Sequence, residues 1–157
     1  MKLQISSRIA IFALMELATR PERQLAVAEI GEKYGISSHH LAKVMQVLAR
    51  AGLVRAVRGA KGGYQFSGNA RRATLLDVVQ LFEDSGEGDL RSGEVTREER
   101  ALHEVLAEID DNARATLGSI TIAAMLKLVD RRRTGKQRAP AVIQPSGQRL
   151  RRSEMSR

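Results

Sequence analysis

Two short helical patterns, separated by a glycine-containing turn and followed at once by a glycine-rich hairpin pattern, constrain the fold of this chain most. The first pattern covers residues 27–34, with Ile30 toward a core and Gly35 as its C-cap. The second pattern follows the N-cap Ser37, and its apolar positions share one helix face. Two helices joined by so short a turn predict a helix-turn-helix unit.

The hairpin pattern begins directly after the second of these helices. Residues 53–57 and 63–67 read as two short strands, and the intervening RGAKGG carries Arg58 and Lys61 among three glycines. A basic-tipped hairpin at this position in the chain favours a wing over an ordinary surface hairpin. We therefore expect a mainly α fold: a winged helix-turn-helix of three helices and a two-stranded wing.

A long apolar repeat in the second half of the chain predicts a dimerisation helix. A first helix is expected from Ser6 or Ser7 to about Ala18, and a fourth from Thr74 to about Asp84. From Thr96, apolar residues step by three and four over about 27 residues, or about 40 Å of helix. The winged helix-turn-helix unit, called the head below, is too compact to bury an apolar face of that length. We therefore expect the long helix to pack against a second copy in a homodimer. The predicted interface residues are Leu102, Val105, Leu106, Ile109, Ala113, Leu117, Ile120, Ala124 and Leu128.

Charge is distributed unevenly and divides the chain into three predicted parts. Residues 1–73 carry 12 Lys and Arg against 4 Asp and Glu, residues 74–130 carry 5 against 13, and residues 131–157 carry 9 against 1. The predicted parts are a DNA-binding domain over 1–73, a helix, acidic loop and dimerisation helix over 74–132, and a basic disordered tail over 133–157. A basic head is typical of a nucleic-acid binder.

The composition also excludes several kinds of site. The chain has no cysteine, so it forms no internal disulfide, zinc–thiolate site or cysteine-bound iron–sulfur cluster. We expect no metal site and no cofactor. No apolar run is long enough to span a membrane, and the expected location is the cytoplasm. Motifs typical of hydrolases, zinc proteases and nucleotide-binding enzymes are missing, so an enzyme is not expected.

The predicted partner is double-stranded DNA, read by the second helix of the helix-turn-helix. Its first turn would enter the major groove, the hairpin tip would lie against a phosphate or in the minor groove, and the start of the first helix would bind a phosphate. The residues predicted to contact DNA are Ser6, Ser7, Arg8, Ser38, His39, His40, Lys43, Gln46, Arg50, Arg58, Lys61, Gly62 and Gly63.

The segment ISSHHLAKVMQVLARAGLVRAVRGAKGGY at residues 36–64 resembles the recognition helix and wing of the Rrf2-type family of transcription regulators. The resemblance extends to MKLQISSRIAIFALMELA at residues 1–18 and LGSITIAAML at residues 117–126. It implies a DNA-binding repressor. Some members of the family hold an iron–sulfur cluster through three cysteines, before and at the start of the long helix, and others respond to nitric oxide.

Cluster binding does not carry over from that resemblance. The corresponding loop at residues 84–95 has no cysteine, Arg100 stands at the place of the last cysteine, and His103 stands at that of a histidine ligand. Cysteine-free relatives respond to partner proteins or small molecules, and both remain open here. The alternative function is an architectural or partner-regulated DNA-binding protein that recruits another protein through the acidic loop.

Overall fold

The computed structural model describes residues 3–59, 62–83 and 96–137, with side-chain surroundings through residue 132. Within these ranges the chain is mainly helical and contains a two-stranded antiparallel sheet, which confirms the predicted fold class. The elements in chain order are α1 (Ile5–Thr19), α2 (Val27–Tyr34), α3 (Ser38–Arg50), β1 (Val54–Val57), β2 (Gly63–Phe66), α4 (Leu75–Val79), α5 (Arg97–Ser119) and α6 (Ile122–Gln137).

The turn between α2 and α3 is built from the two predicted caps and one close backbone approach. Gly35 ends α2 in the left-handed region at φ 65°, and the amide of Ile36 donates to the carbonyl of Gly31 over 2.8 Å. Ser37 begins α3, where its Oγ accepts from the amide of His40 at 3.3 Å. A Cβ on Gly31 would lie 2.7 Å from the carbonyl oxygen of Ile36, so the tight turn requires glycine there.

The core is mainly aliphatic, with Phe66 as a buried aromatic member, and is centred on α1. Seven residues of α1 are buried, and the apolar faces of α2, α3 and α4 pack around them together with the ends of the hairpin and the start of α6. The largest fully buried apolar side chains are Leu14, Leu17, Ile30, Leu41, Met45, Leu48, Val54, Val78 and Ile122.

The wing is a short antiparallel hairpin that is attached to the head along β2. Val54 pairs with Phe66 and Val57 pairs with Gly63. On its other side β2 makes a single bridge, in which the amides and carbonyls of Leu25 and Tyr64 exchange two hydrogen bonds of 2.9 Å. This bridge joins the hairpin to the segment between α1 and α2.

The fourth helix is shorter than predicted. It begins after Thr74, which forms a capping box with Asp77, but it ends at Val79 rather than near residue 84. The amides of Leu81 and Phe82 donate to the carbonyls three residues earlier, Val78 and Val79, over 3.2 and 3.0 Å, so the chain tightens into a turn after the helix. This turn lets the Glu83 carboxylate reach back to the start of α1.

The single long helix predicted from Thr96 is in fact two helices. Its start is as predicted, with Thr96 and Glu99 forming a capping box, but the helix ends at Ser119 and Ile120 is extended at φ −103° and ψ 111°. The carbonyl of Ile120 accepts from Leu75 over 2.8 Å, and the amide of Ile122 donates to Ala73 over 2.9 Å. The backbone at residues 120–122 therefore pairs with the backbone at residues 73–75, and this pairing interrupts the helix. Ile122, directly after the break, lies in the core.

The core therefore includes residues from both sides of the predicted boundary at residue 73. Ala73, Leu75, Val78 and Ile122 are all buried within it, and α6 packs against α1. The backbone of α6 is helical to Gln137, although a disordered tail was expected from residue 133; residues 138–157 lie outside the described part. No helix in the described ranges has the length and apolar character needed to cross a membrane.

Candidate nucleic-acid interface

Helix α3 presents a polar face on the side away from the core. Its buried face carries Leu41, Val44, Met45 and Leu48, which fixes the rotation of the helix. Steps of four, three and four residues place His39, Lys43, Gln46 and Arg50 on the opposite face, where they are exposed, and Ser38 is exposed in the first turn. This face combines two cationic side chains with hydrogen-bonding groups suited to base edges.

The start of α1 lies against the start of α3. The Oγ of Ser6 is 3.2 Å from Nε2 of His40, and both residues are half-buried. Arg8 is exposed two residues further along α1 and lines the same surface cleft as His40. Of these predicted residues, Ser6 and His40 are in direct contact, and one His40 ring nitrogen is therefore already paired inside the protein.

The prediction that Ser7 contacts DNA is wrong. Its side chain is fully buried, and its Oγ donates to Oε1 of Glu83 over 3.1 Å. The same carboxylate oxygen accepts from the amide of Gln4 over 3.0 Å. Ser7 thus fastens α1 to the turn after α4 and is not available to DNA, because the helix rotation that buries Ile11 and Leu14 also turns Ser7 inward.

The wing tip is described in part. Arg58 is exposed at the end of β1, whereas Lys61 lies outside the described residues. Gly62 and Gly63 were predicted to allow approach to DNA, but the structure gives them internal reasons to be glycine. A Cβ would lie 2.9 Å from the Val57 carbonyl oxygen at Gly62 and 2.3 Å from the Leu25 carbonyl oxygen at Gly63.

A polar and aromatic cluster fixes α1 against α2 beside this interface. Glu16 accepts hydrogen bonds from Lys33 and from the Tyr34 hydroxyl, the latter over 3.0 Å, and the Tyr34 ring stacks on Phe12 at 5.4 Å between centroids. Burial opposes ionisation of Glu16, but the hydrogen bonds from Lys33 and Tyr34, together with the positive charges of Lys33 and Arg20, lower the pKa of the carboxyl. Burial and the bond to Glu16 raise the pKa of Tyr34.

The predicted dimerisation residues divide into two groups. Leu102, Val105, Leu106 and Ile109 of α5 are between 52% and 59% exposed, and α5 has no buried residue. Leu128 of α6 is also exposed, while Ala113 and Ala124 are half-buried. Leu117 and Ile120 are also half-buried, because they pack against the core of their own chain.

The positions that hold an iron–sulfur cluster in some relatives are described here only in part. His103 and Arg100 are exposed on α5, and the loop at residues 84–95 lies outside the described residues. The chain has no cysteine. Among the described residues, no three His, Asp or Glu side chains converge on a point that could hold a metal ion.

Two residues that position the helices of this region, Gly31 and Glu83, were not identified by the sequence analysis. Gly31 allows the close approach between α2 and the turn that leads into α3. A glycine inside a helix of only eight residues is the sequence feature that could have identified it. Glu83 holds the start of α1 through its bonds to Gln4 and Ser7. No local pattern marks Glu83, because its partners are more than 70 residues away in sequence.

Comparison with known proteins gives a consistent result. The model of the Rrf2 family, described as an iron-dependent transcriptional regulator, matches residues 3–128. A protein of Rhodopseudomonas palustris named as the HTH-type transcriptional regulator BadM is 46% identical over 142 residues, covering 89% of this chain and 90% of its own length.

Solved structures with the same fold belong to regulators of the same kind. T. potens IscR is similar at a TM-score of 0.70 and 27% identity, over 84% of this chain and 90% of that one. CymR, the global cysteine regulator of B. subtilis, is similar at a TM-score of 0.66 and 27% identity, over 82% of this chain and 98% of that one. These matches extend over the head and well into the helices that follow it.

Proposed function

Because the chain belongs to the Rrf2 family of transcriptional regulators, we propose that it binds specific sequences of double-stranded DNA as a homodimer and represses transcription there. The observation that carries the proposal is the exposed polar face of α3, formed by His39, Lys43, Gln46 and Arg50 beside Ser38. A helix of 13 residues with a buried apolar face opposite such a polar face has the form that helix-turn-helix proteins place in the major groove.

Each polar side chain of this face has a chemistry that a base or phosphate can satisfy. Gln46 would form paired hydrogen bonds with adenine, and His39 would donate to guanine N7. Lys43 and Arg50 would bind phosphates or guanine, and Ser6 with Arg8 would bind a phosphate at the start of α1. Arg58 at the wing would enter a narrow minor groove, where arginine is favoured.

The exposed stripe on α5 supports the homodimer. Four large apolar residues in the described part of α5, from Leu102 to Ile109, are each more than half exposed in the single chain. At ~1.5 Å per residue, the 23 residues of α5 extend about 35 Å. Burying this stripe against a second copy would remove the apolar surface from water and bring two reading heads onto one palindromic site.

Repression by this chain would be independent of an iron–sulfur cluster. Biological clusters are held by thiolates, with histidine replacing at most some of them. A chain with no cysteine, in which His103 and Arg100 occupy the positions expected for ligands, does not fit such a group. We therefore propose that regulation depends on a small molecule or a protein partner.

The proposal is tested by measuring binding to promoter fragments as a function of salt concentration. If each protomer neutralises about four phosphates, the logarithm of the binding constant should fall with the logarithm of salt at a slope of roughly −7. Lys43→Ala should weaken binding and make the slope shallower by roughly 1. Lys127→Ala, which removes an exposed lysine from α6, is the matched control and should leave both values unchanged.

Two results would contradict the proposal. One is a slope near zero with promoter DNA. The other is equal binding to promoter fragments and to random DNA of the same length, because sequence-specific sites are typically bound at least 10³-fold more tightly than random DNA. A promoter–reporter assay then separates repression from activation: deletion of the gene should raise expression from a bound promoter.

A further inference from the structure

A cleft between α1 and the turn that leads into α3 has the form of a small-molecule site. Its volume is about 400 Å³, within the usual range for ligand pockets. One side is formed by a single face of α1, and the other is formed by the end of α2, the turn and the first turn of α3. A molecule bound there would contact both α1, around which the core is built, and the first turn of α3.

The lining of this cleft is divided by polarity. Ile9, Phe12, Tyr34 and Ile36 provide an apolar and aromatic wall. The Phe12 and Tyr34 rings are 5.4 Å apart and nearly parallel, and the Tyr34 hydroxyl is fixed by Glu16, so the wall is held in place before any ligand arrives.

The other end of the cleft is cationic and hydrogen-bonding. Arg8, Ser37 and His40 line it, and Arg8 forms no ion pair with the carboxylates of the described part of the chain. Arg8 and Phe12 are one helical turn apart, about 6 Å along the axis. A carboxylate at Arg8 would therefore extend a body of about one ring length along Phe12 and Tyr34.

We propose that this cleft binds a small organic carboxylate with an apolar body, and that the bound carboxylate releases the protein from DNA. The proposal rests on the DNA-binding function above, because Arg8, which lines the cleft, belongs with Ser6 to the proposed phosphate contact. A ligand carboxylate and a DNA phosphate then compete for the guanidinium of Arg8.

The test uses phenylacetate and hexanoate as probes, with phenylacetamide as the neutral counterpart of the first. Binding to the DNA-free protein is followed by ligand-observed NMR, and DNA binding is followed by fluorescence anisotropy at constant ionic strength. A ligand this small is expected to bind with a Kd of about 1 mM. At about 10 mM probe the apparent Kd for DNA should rise about tenfold, while phenylacetamide should leave it unchanged.

Three variants locate the effect in the cleft. Phe12→Ala removes the aromatic wall and should abolish the response to probe while the protein still binds DNA. Leu81→Ala is its matched control, because Leu81 is 36% exposed, close to the 38% of Phe12, and lies outside the cleft. Ile5→Trp fills the cleft from a position that is 66% exposed, so it should block the probes without disturbing the core.

The outcomes separate this proposal from the proposed function. If promoter DNA binds but neither carboxylate binds the DNA-free protein, the cleft proposal fails and the DNA-binding function stands. Equal effects of phenylacetate and phenylacetamide, or an undiminished response in Phe12→Ala, also overturn it. If Phe12→Ala weakens self-association in sedimentation experiments instead, the cleft is a contact between copies and the proposal is wrong. Failure to bind DNA at all contradicts the proposed function.

Discussion

Replacing Gly31 by alanine tests whether the close turn between α2 and α3 holds the reading helix in place. In an ordinary helical position, glycine to alanine stabilises a protein by about 0.4–1 kcal/mol, through higher helix propensity and a less flexible unfolded chain. At Gly31 the new Cβ would lie 2.7 Å from the carbonyl oxygen of Ile36, which is backbone and cannot rotate away. Relieving such a contact requires α2 to move from the turn, and overpacking of this kind costs about 1–3 kcal/mol.

Gly118 provides the matched control, because it too is a glycine within a helix. A Cβ there would meet only the Cδ2 of Leu76, at the ordinary contact distance of 3.5 Å. Gly118→Ala should therefore gain up to about 1 kcal/mol of unfolding free energy, while Gly31→Ala should lose about 1–2 kcal/mol after the propensity gain is subtracted. The two variants should differ by about 2 kcal/mol, or about 4–8 °C in Tm for a chain of 157 residues.

The measurement is urea and thermal unfolding followed by circular dichroism at 222 nm, at one fixed protein concentration because a homodimer's stability depends on it. Promoter binding is measured alongside. Gly31→Ala should also weaken DNA binding, since a shift of α2 changes the position of α3. Equal or greater stability of Gly31→Ala than of Gly118→Ala would refute the steric reasoning.

Two further changes test the dimer and the cluster beside the interface. Leu106→Glu places a charge in the exposed stripe of α5 and should convert the proposed homodimer to monomers in sedimentation experiments. Ala107→Glu, on the other face of α5, is the control and should leave the oligomeric state unchanged. Equal behaviour of the two variants would exclude this stripe as the dimer contact. Glu16→Gln should lower the unfolding free energy at pH 7 by about 1 kcal/mol. Because the pKa of Glu16 is lowered on folding, its contribution is present above its ordinary value of 4.5 and is lost as pH falls through the folded pKa, so the two proteins should converge in strong acid; a difference that persists there would contradict this account.

Local signals predicted the head of this protein well. Gly35 and Ser37 mark the ends of α2 and α3, and Thr96 with Glu99 marks the start of α5, because caps act within three or four residues. The exposed face of α3 also followed from its buried face, since the period of a helix fixes both. These features depend on neighbours in sequence, and a single chain displays them directly.

Features that depend on distant partners could not be predicted in the same way. The apolar spacing through Leu117 and Ile120 fits one helix, but the backbone of Ile120 pairs with Leu75, 45 residues earlier. Ser7 has the position and chemistry of a phosphate ligand, yet Glu83 binds it inside the protein. At Ile120 and at Ser7, a hydrogen bond to a residue distant in sequence determines the local structure, and no local sequence pattern predicts such a bond.

The break at Ile120 fixes the position of the exposed stripe of α5 relative to α3. Without it, the apolar spacing would have continued α5 as one helix past residue 120, away from the core. With it, Ile122 lies in the same core as Leu41 and Met45 of α3, and α6 packs along α1. The α5 stripe and the α3 polar face are therefore joined through one packed core. Since packed cores deform little, a dimer formed through α5 would hold its two α3 helices at a defined separation on DNA.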